Sequence, residues 1–213
     1  MWHAPGSTAG SGYASRRDAA CCVSTMMHVT LFKDRFQTET TRLRGWDYAA
    51  HAWYFVTICT RDRICYLGDV SNGIAWLSSV GKTVERCWRA IPDHFPDVGL
   101  DDFVIMPNHL HGIVLIGRTH RFSPNLPAPD LLTPRKLDGI QPGSLPAVIR
   151  SFKSAVTRWC GLNGQPRSIW QPRYYDQVIR RSVDLERLRG YIASNPFEWP
   201  QDELRPGGSS SPQ

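Results

Sequence analysis

MPNHLHGIVLI (residues 106–116) holds two histidines, His109 and His111, on either side of one bulky apolar residue, Leu110. An apolar run follows. Successive side chains on a strand point to opposite faces, so residues two apart share a face. Read as a strand, the segment projects both imidazoles together and sends Leu110 into a core. Two neighbouring imidazoles on a rigid strand form half of a metal site. The competing reading is a pair of ordinary edge-strand histidines with hydrogen-bonded rings.

Working outward, Pro107 and Asn108 are turn residues, and residues 103–106 are apolar enough for a strand. The two histidines therefore open one arm of a tight hairpin. AWYFVTICT (residues 52–60) is aromatic and β-branched and predicts an earlier strand. Between them, Leu77, Val80, Val84, Cys87, Trp88 and Ile91 recur at helical spacing, which predicts a helix over 74–91. A second stripe, Leu145, Val148, Ile149, Phe152, Val156 and Trp159, predicts a helix over 145–160. A fourth short strand is expected near 177–180. A last helix should start near Ser182 or Val183, with Asp184 and Glu186 favoured in its first turn by the helix dipole. It should end near Asn195, because Pro196 disfavours helical geometry in the residue before it. The order is strand, helix, strand, strand, helix, strand, helix. That is an α+β, ferredoxin-like βαββαβ core with an antiparallel sheet and an appended C-terminal helix.

Residues 1–45 are rich in Gly, Ala, Ser and Thr and read as a disordered leader, in which Met26 or Met27 could be the true start. Residues 46–204 form the folded domain, interrupted by a Pro-rich loop over 117–144. Residues 205–213 read as a flexible tail. No apolar run approaches the ~20 residues needed to span a bilayer. The cysteines Cys21, Cys22, Cys59, Cys65, Cys87 and Cys160 include no CxxC pair. They read as reduced thiols of a cytoplasmic protein.

The net charge of +6 is unevenly placed: residues 135–189 carry 11 Lys/Arg against 4 Asp/Glu. A concentrated basic face attracts polyanions by counterion release, so nucleic acid is the leading partner. The alternative is a solvated surface that aids solubility. Arg150, Lys153, Arg158, Arg173 and Arg180 are the candidate phosphate contacts.

On the last helix, Tyr191 and Asn195 are four residues apart and share a face. Tyr191 offers a phenol oxygen, a candidate nucleophile. Asn195 offers a carbonyl oxygen, a hard ligand suited to Mg²⁺ or Mn²⁺. If that helix packs beside the hairpin, His109, His111 and Asn195 could hold one divalent cation, with Tyr191 close by. A phenol attacking a phosphodiester keeps the bond energy in a phosphotyrosine link, so no nucleotide is consumed. The chain has no GxxxxGK[ST] phosphate loop. Tyr191 also fits a half-buried core role beside Leu188 and Ile192. Tyr174 and Tyr175 are rival nucleophiles that are better placed to pack or stack on bases. His51, His94 and His120 stand apart from the pair.

The chain resembles the REP-associated tyrosine transposases, within the wider HUH single-strand nucleases and single-tyrosine insertion-sequence transposases. The matching segments are His109-Leu110-His111 within MPNHLHGIV, SFKSAVTR (151–158), IWQPRYYDQVIR (169–180) and LRGYIASNP (188–196). HxH alone is a weak signal; the four segments in this order are a strong one. The resemblance implies that His109 and His111 bind a Mg²⁺ or Mn²⁺ ion and that Tyr191 forms a covalent 5′-phosphotyrosine link. It also implies that an amide four residues after the tyrosine, here Asn195, completes the coordination. The implied substrate is single-stranded or hairpin DNA, and the implied location is the cytoplasm, nucleoid-associated when DNA is bound. Insertion-sequence relatives are homodimers that can swap tyrosines, whereas REP-associated ones can act alone. The rival class is a non-cutting, domesticated DNA- or RNA-hairpin binder of the same fold. A small metalloenzyme of unrelated chemistry is the third, and it leaves the basic helix unexplained.

Overall fold

The computed structural model describes residues 29–32, 35–38, 46–117 and 140–206. Most of the expected leader, with Cys21, Cys22, Met26 and Met27, lies outside the described residues. So do residues 118–139 of the Pro-rich loop, with His120, and residues 207–213 of the tail. Packing divides the chain into two units, Met1–Thr41 and Arg42–Gln213. In the first, β1 (Val29–Phe32) pairs antiparallel with β2 (Arg35–Thr38), within the stretch read as leader. Their VTLF and RFQT sequences carry the β-branched and aromatic residues that favour strands.

The second unit is an α+β fold. Its strands are β3 (Ala52–Cys59), a small hairpin of β4 (Gly68–Ser71) and β5 (Ile74–Leu77), β6 (Val98–Met106), β7 (His109–Ile116) and β8 (Tyr175–Ile179). Its helices are α1 (Ser79–Arg89), the short α2 (Ile91–His94), α3 (Leu145–Leu162) and α4 (Ser182–Glu198). Four strands form one antiparallel sheet in the order β6-β7-β3-β8. This is the expected βαββαβ arrangement with one appended helix.

The pleat divides the core in two. Tyr54, Val56, Ile58, Leu110, Val114 and Ile116 face one side, where Val80, Val84 and Trp88 of α1 and Val148, Ile149 and Phe152 of α3 cover them. Trp53, Phe55, Ile113 and Leu115 face the other side, where Leu185, Leu188 and Ile192 of α4 cover them. His109 and His111 alternate with Leu110 and so lie on the α4 side. All eight residues of β7 are buried. Burial of an aliphatic side chain is worth about 1.5–3 kcal/mol, so this two-sided packing holds the strand firmly.

The structure corrects three sequence expectations. Residues 74–77 are strand, not helix, because Asn72 and Gly73 adopt φ of 53° and 71° and close a two-residue hairpin. The 3.6-residue period begins only after Ser78, whose hydroxyl caps α1 by accepting from Gly81 N. The strand expected at 103–106 starts earlier, at Val98, with an irregularity between Leu100 and Phe103. Helix α4 passes through Pro196 to Glu198. Trp199, just beyond that last turn, is buried and anchors it, whereas Phe197 stays largely exposed beside Gly73. Among the described residues, no helix is long and apolar enough to cross a membrane.

Gly112 sits between the two layers. A Cβ there would come within 2.5 Å of Trp88 Cζ2. Gly112→Ala is therefore expected to cost about 1–3 kcal/mol through overpacking, read as a lowered midpoint in urea unfolding. An unchanged midpoint would mean that Trp88 can move aside.

Candidate active site

The site forms where β7 emerges from its hairpin turn and α4 crosses the sheet. Register places Thr57 opposite His111 and Cys59 opposite His109. The two imidazoles touch, with ring centroids 4.5 Å apart. Helix α4 is fixed over them by its apolar face and by Arg189, which pairs with Asp101 at the irregular part of β6. That clamp and the packed Leu188 and Ile192 set the axial position of Tyr191.

Tyr191 reaches the pair. With the ring proton on Nδ1, His111 donates to Thr57 Oγ1 (2.8 Å), and its Nε2 accepts from the Tyr191 hydroxyl (3.3 Å). The phenol ring packs edge-on against Phe55 and His111. Asn195, one turn further along, is buried beside His109 and Tyr191. The structure thus brings together His109, His111, Tyr191 and Asn195.

Burial sets the protonation states. It pushes His109 down to about 3, an effect that the neighbouring Asn195 amide opposes. It lowers His111 well below its ordinary value, and the adjacent His109 adds to this. Both rings are therefore neutral, the form that ligates metals. Burial also pushes the Tyr191 phenol up to about 12, with the Asp202 carboxylate adding to the effect and the Asn195 amide opposing it.

Two buried atoms here have no hydrogen-bond partner: His109 Nε2 and Asn195 Oδ1. Buried polar atoms without partners are rare and call for an explanation. Both carry lone pairs, and both belong to the expected ligand set. Among the described residues, no three His, Cys, Asp or Glu side chains gather as a metal cage. The donor set is instead two imidazoles and an amide, which fits a divalent cation that keeps further positions for water or phosphate oxygen.

Sequence reading missed four neighbours. Thr57 was hidden because only the strand register pairs it with His111. Asn108 has the sequence signature of a turn residue, yet its Oδ1 also hydrogen-bonds His109 Nδ1 at 2.8 Å. Asp202, past the end of α4, lies 3.7 Å from His109 Nε2, and Trp199 packs beside the same ring. MPNHLH contains the Asn108 signal, since an Asn beside a ligand His can orient it.

The basic residues lie elsewhere. A cleft of about 680 Å³ runs along α3, lined by Arg150, Lys153, Arg158, Arg167, Trp170 and Tyr174 among others. Arg150, Arg158 and Arg167 are exposed; Arg167 was not singled out from sequence. Lys153 instead donates to Gln171 O (2.8 Å) and Arg173 O (2.9 Å), and burial pushes its ammonium down to about 8. It ties the 171–174 segment to α3. Arg173 is exposed on that segment, and Arg180 is exposed with its guanidinium 5.7 Å from the centre of the Trp46 ring. The cleft lies on the α3 face of the sheet, opposite the imidazoles; its Gln171 N donates to Cys59 O, and Cys59 stands opposite His109 in the register. Tyr174 lines the cleft, and Tyr175 pairs with Thr57 in the sheet.

No protein-family profile matches the sequence. The chain is 37% identical over 166 residues to an uncharacterised protein of Haemophilus influenzae, covering 78% of this chain and 92% of that one. Its structure is similar to that of a REP-associated tyrosine transposase bound to a REP hairpin, at 20% identity and a TM-score of 0.49. That match covers 76% of this chain and 74% of the other.

The neutral imidazoles make the metal-free protein acid-sensitive. Unfolded histidine takes a proton near 6.5, whereas folded His109 resists protonation down to about 3. Their contribution is present above pH 6.5 and is lost as pH falls toward 3. Urea unfolding should therefore show a loss of about 2 kcal/mol from His109 between pH 7 and pH 5, with a further loss in the same direction from His111. His109→Ala and His111→Ala should each reduce that slope, and equal slopes in all three proteins would refute the assignment.

Proposed function

We propose that this chain, which belongs to the same family as the Haemophilus influenzae protein, is a tyrosine transposase or single-strand endonuclease. It acts on single-stranded or hairpin DNA with Mg²⁺ or Mn²⁺, through a covalent 5′-phosphotyrosine intermediate. One observation carries the reading: the Tyr191 hydroxyl lies 3.3 Å from His111 Nε2, on a helix that also sets Asn195 beside His109. A phenol next to two neutral imidazoles and an unpaired amide oxygen has the make-up of a metal-assisted phosphoryl-transfer site. The order of the HxH, SFKSAVTR, WQPRYYD and YIASNP segments supports the same assignment.

His109 Nε2, His111 Nε2 and Asn195 Oδ1 would hold the cation. When bound, it supplies positive charge to the scissile phosphate and to the departing oxygen. The chain's own residues do the rest. Tyr191 Oη attacks the phosphorus, the phosphorus–O3′ bond breaks, and the O3′ leaves as a free hydroxyl after taking up a proton. The 5′ side remains esterified to Tyr191. Attack by another 3′ hydroxyl on that phosphotyrosine reverses the exchange and rejoins DNA, returning the proton to the phenol. Burial alone keeps Tyr191 protonated, so ionisation is coupled to the arrival of charge at the site. Asn195 favours the ionised phenol, and Phe55 and His111 hold the ring in line. The exposed guanidiniums of Arg150, Arg158 and Arg167 offer phosphate contacts along the cleft, where the half-buried Tyr174 adds aromatic surface.

Incubation with labelled single-stranded hairpin DNA and Mg²⁺ or Mn²⁺, followed by a denaturing gel, should give a covalent adduct. Tyr191→Phe is expected to reduce it by at least about a thousandfold, and His109→Ala should abolish it as well. An adduct that persists in Tyr191→Phe would reassign the nucleophile. Binding without any adduct in the wild type would favour the non-cutting hairpin binder. Affinity should fall with salt, and changing Arg150, Arg158 and Arg167 together to Ala should flatten the logarithmic slope by about 2. An unaltered slope would remove the α3 cleft from the DNA path.

A further inference from the structure

Asn108 is held on every side. Its backbone carbonyl accepts from Thr60 N at 2.8 Å. Its side-chain Nδ2 donates to Arg63 O at 3.0 Å and to Leu204 O at 2.6 Å. Its Oδ1 lies 2.8 Å from His109 Nδ1. Only 1% of the residue is exposed.

These contacts fix which end of the amide is which. Two carbonyl oxygens face one end, and carbonyls only accept. That end must be the NH₂ group, because the reverse orientation would set three oxygens against one another. Oδ1 is then left for the imidazole, and it can only accept. The proton of neutral His109 must therefore sit on Nδ1. His109 Nε2 has no hydrogen-bond partner and is left with its lone pair beside Asn195; the Asp202 carboxylate, which would favour a proton there, stands 3.7 Å away, beyond hydrogen-bond reach, whereas Asn108 Oδ1 is at 2.8 Å from Nδ1.

We propose that Asn108 is a positioning residue for the candidate site: its side-chain oxygen keeps the ring proton of His109 on Nδ1, so that Nε2 is always presented as the donor atom. A neutral imidazole exchanges freely between two tautomers in water, and the wrong one would turn an N–H toward the cation. A ligand histidine is commonly oriented by a hydrogen bond to its other nitrogen. Here the partner is the preceding residue, locked by backbone from two distant parts of the chain. The role rests on the nuclease reading above, but the tautomer can be observed without metal or DNA.

The test is long-range ¹H–¹⁵N correlation on uniformly ¹⁵N-labelled, metal-free protein, paired with calorimetric titration of Mn²⁺. The wild type should show His109 wholly in the Nδ1–H form; an Nε2–H signal would overturn the proposal without recourse to any variant. Asn108→Ala should release the Nε2–H form and weaken Mn²⁺ binding by about 10- to 100-fold. The same tautomer and affinity in that variant would also overturn it. Asn108→Asp keeps the acceptor but sets its second oxygen against the Arg63 and Leu204 carbonyls, so it should hold the Nδ1–H form and bind Mn²⁺ better than Asn108→Ala, at a cost in thermal stability. A loss equal to that of Asn108→Ala would show that the backbone ties, not the contact to His109, matter. A wild type that takes up no Mn²⁺ counts against the nuclease reading, while the tautomer measurement still decides the role of Asn108.

Discussion

Strand β7 is covered on both faces, and that coverage governs the chemistry of its histidines. On one side Leu110 and Val114 meet α1 and α3; on the other His109, His111, Ile113 and Leu115 lie toward α4. Water is excluded from the imidazoles as it is from the aliphatic core. A charged ring there would lose its hydration without gaining an adequate partner. Neutral rings follow from the packing, and neutral rings can donate to a metal.

The same layer sets the geometry of the phenol. Helix α4 could slide or rotate on a purely apolar contact, since such contacts have little direction. The Arg189–Asp101 pair adds direction, because guanidinium and carboxylate meet in a fixed fork. It joins the helix to the edge strand β6, one strand away from the histidines. Tyr191 sits two residues past the clamp, which limits how far its hydroxyl can drift from His111. Beyond Asn195, the buried Trp199 holds the end of the helix down.

Much of this was legible in the sequence, for local reasons. Alternation in HLHGIVLI put both histidines on one face, and the 3.6-residue stripes of α1 and α3 located their buried sides. The i, i+4 spacing of Tyr191 and Asn195 placed them together. Less legible were features that depend on distant partners. Asn72-Gly73 was a hairpin signal inside an apparently helical stretch, and the apolar period masked it. Pro196 argued for a helix end, but burial of Trp199 outweighed that local preference. Lys153 had the composition of a phosphate contact, yet its ammonium is taken up by two carbonyls of the 171–174 segment. Thr57, Asn108 and Asp202 enter the site only through tertiary contacts that no spacing rule contains.

The last helix folds back onto the sheet of its own polypeptide, so phenol, both rings and the amide all come from one molecule. Continuous chain joins sheet and helix, so any change in how α4 seats on β7 displaces the phenol and the amide together against the two rings.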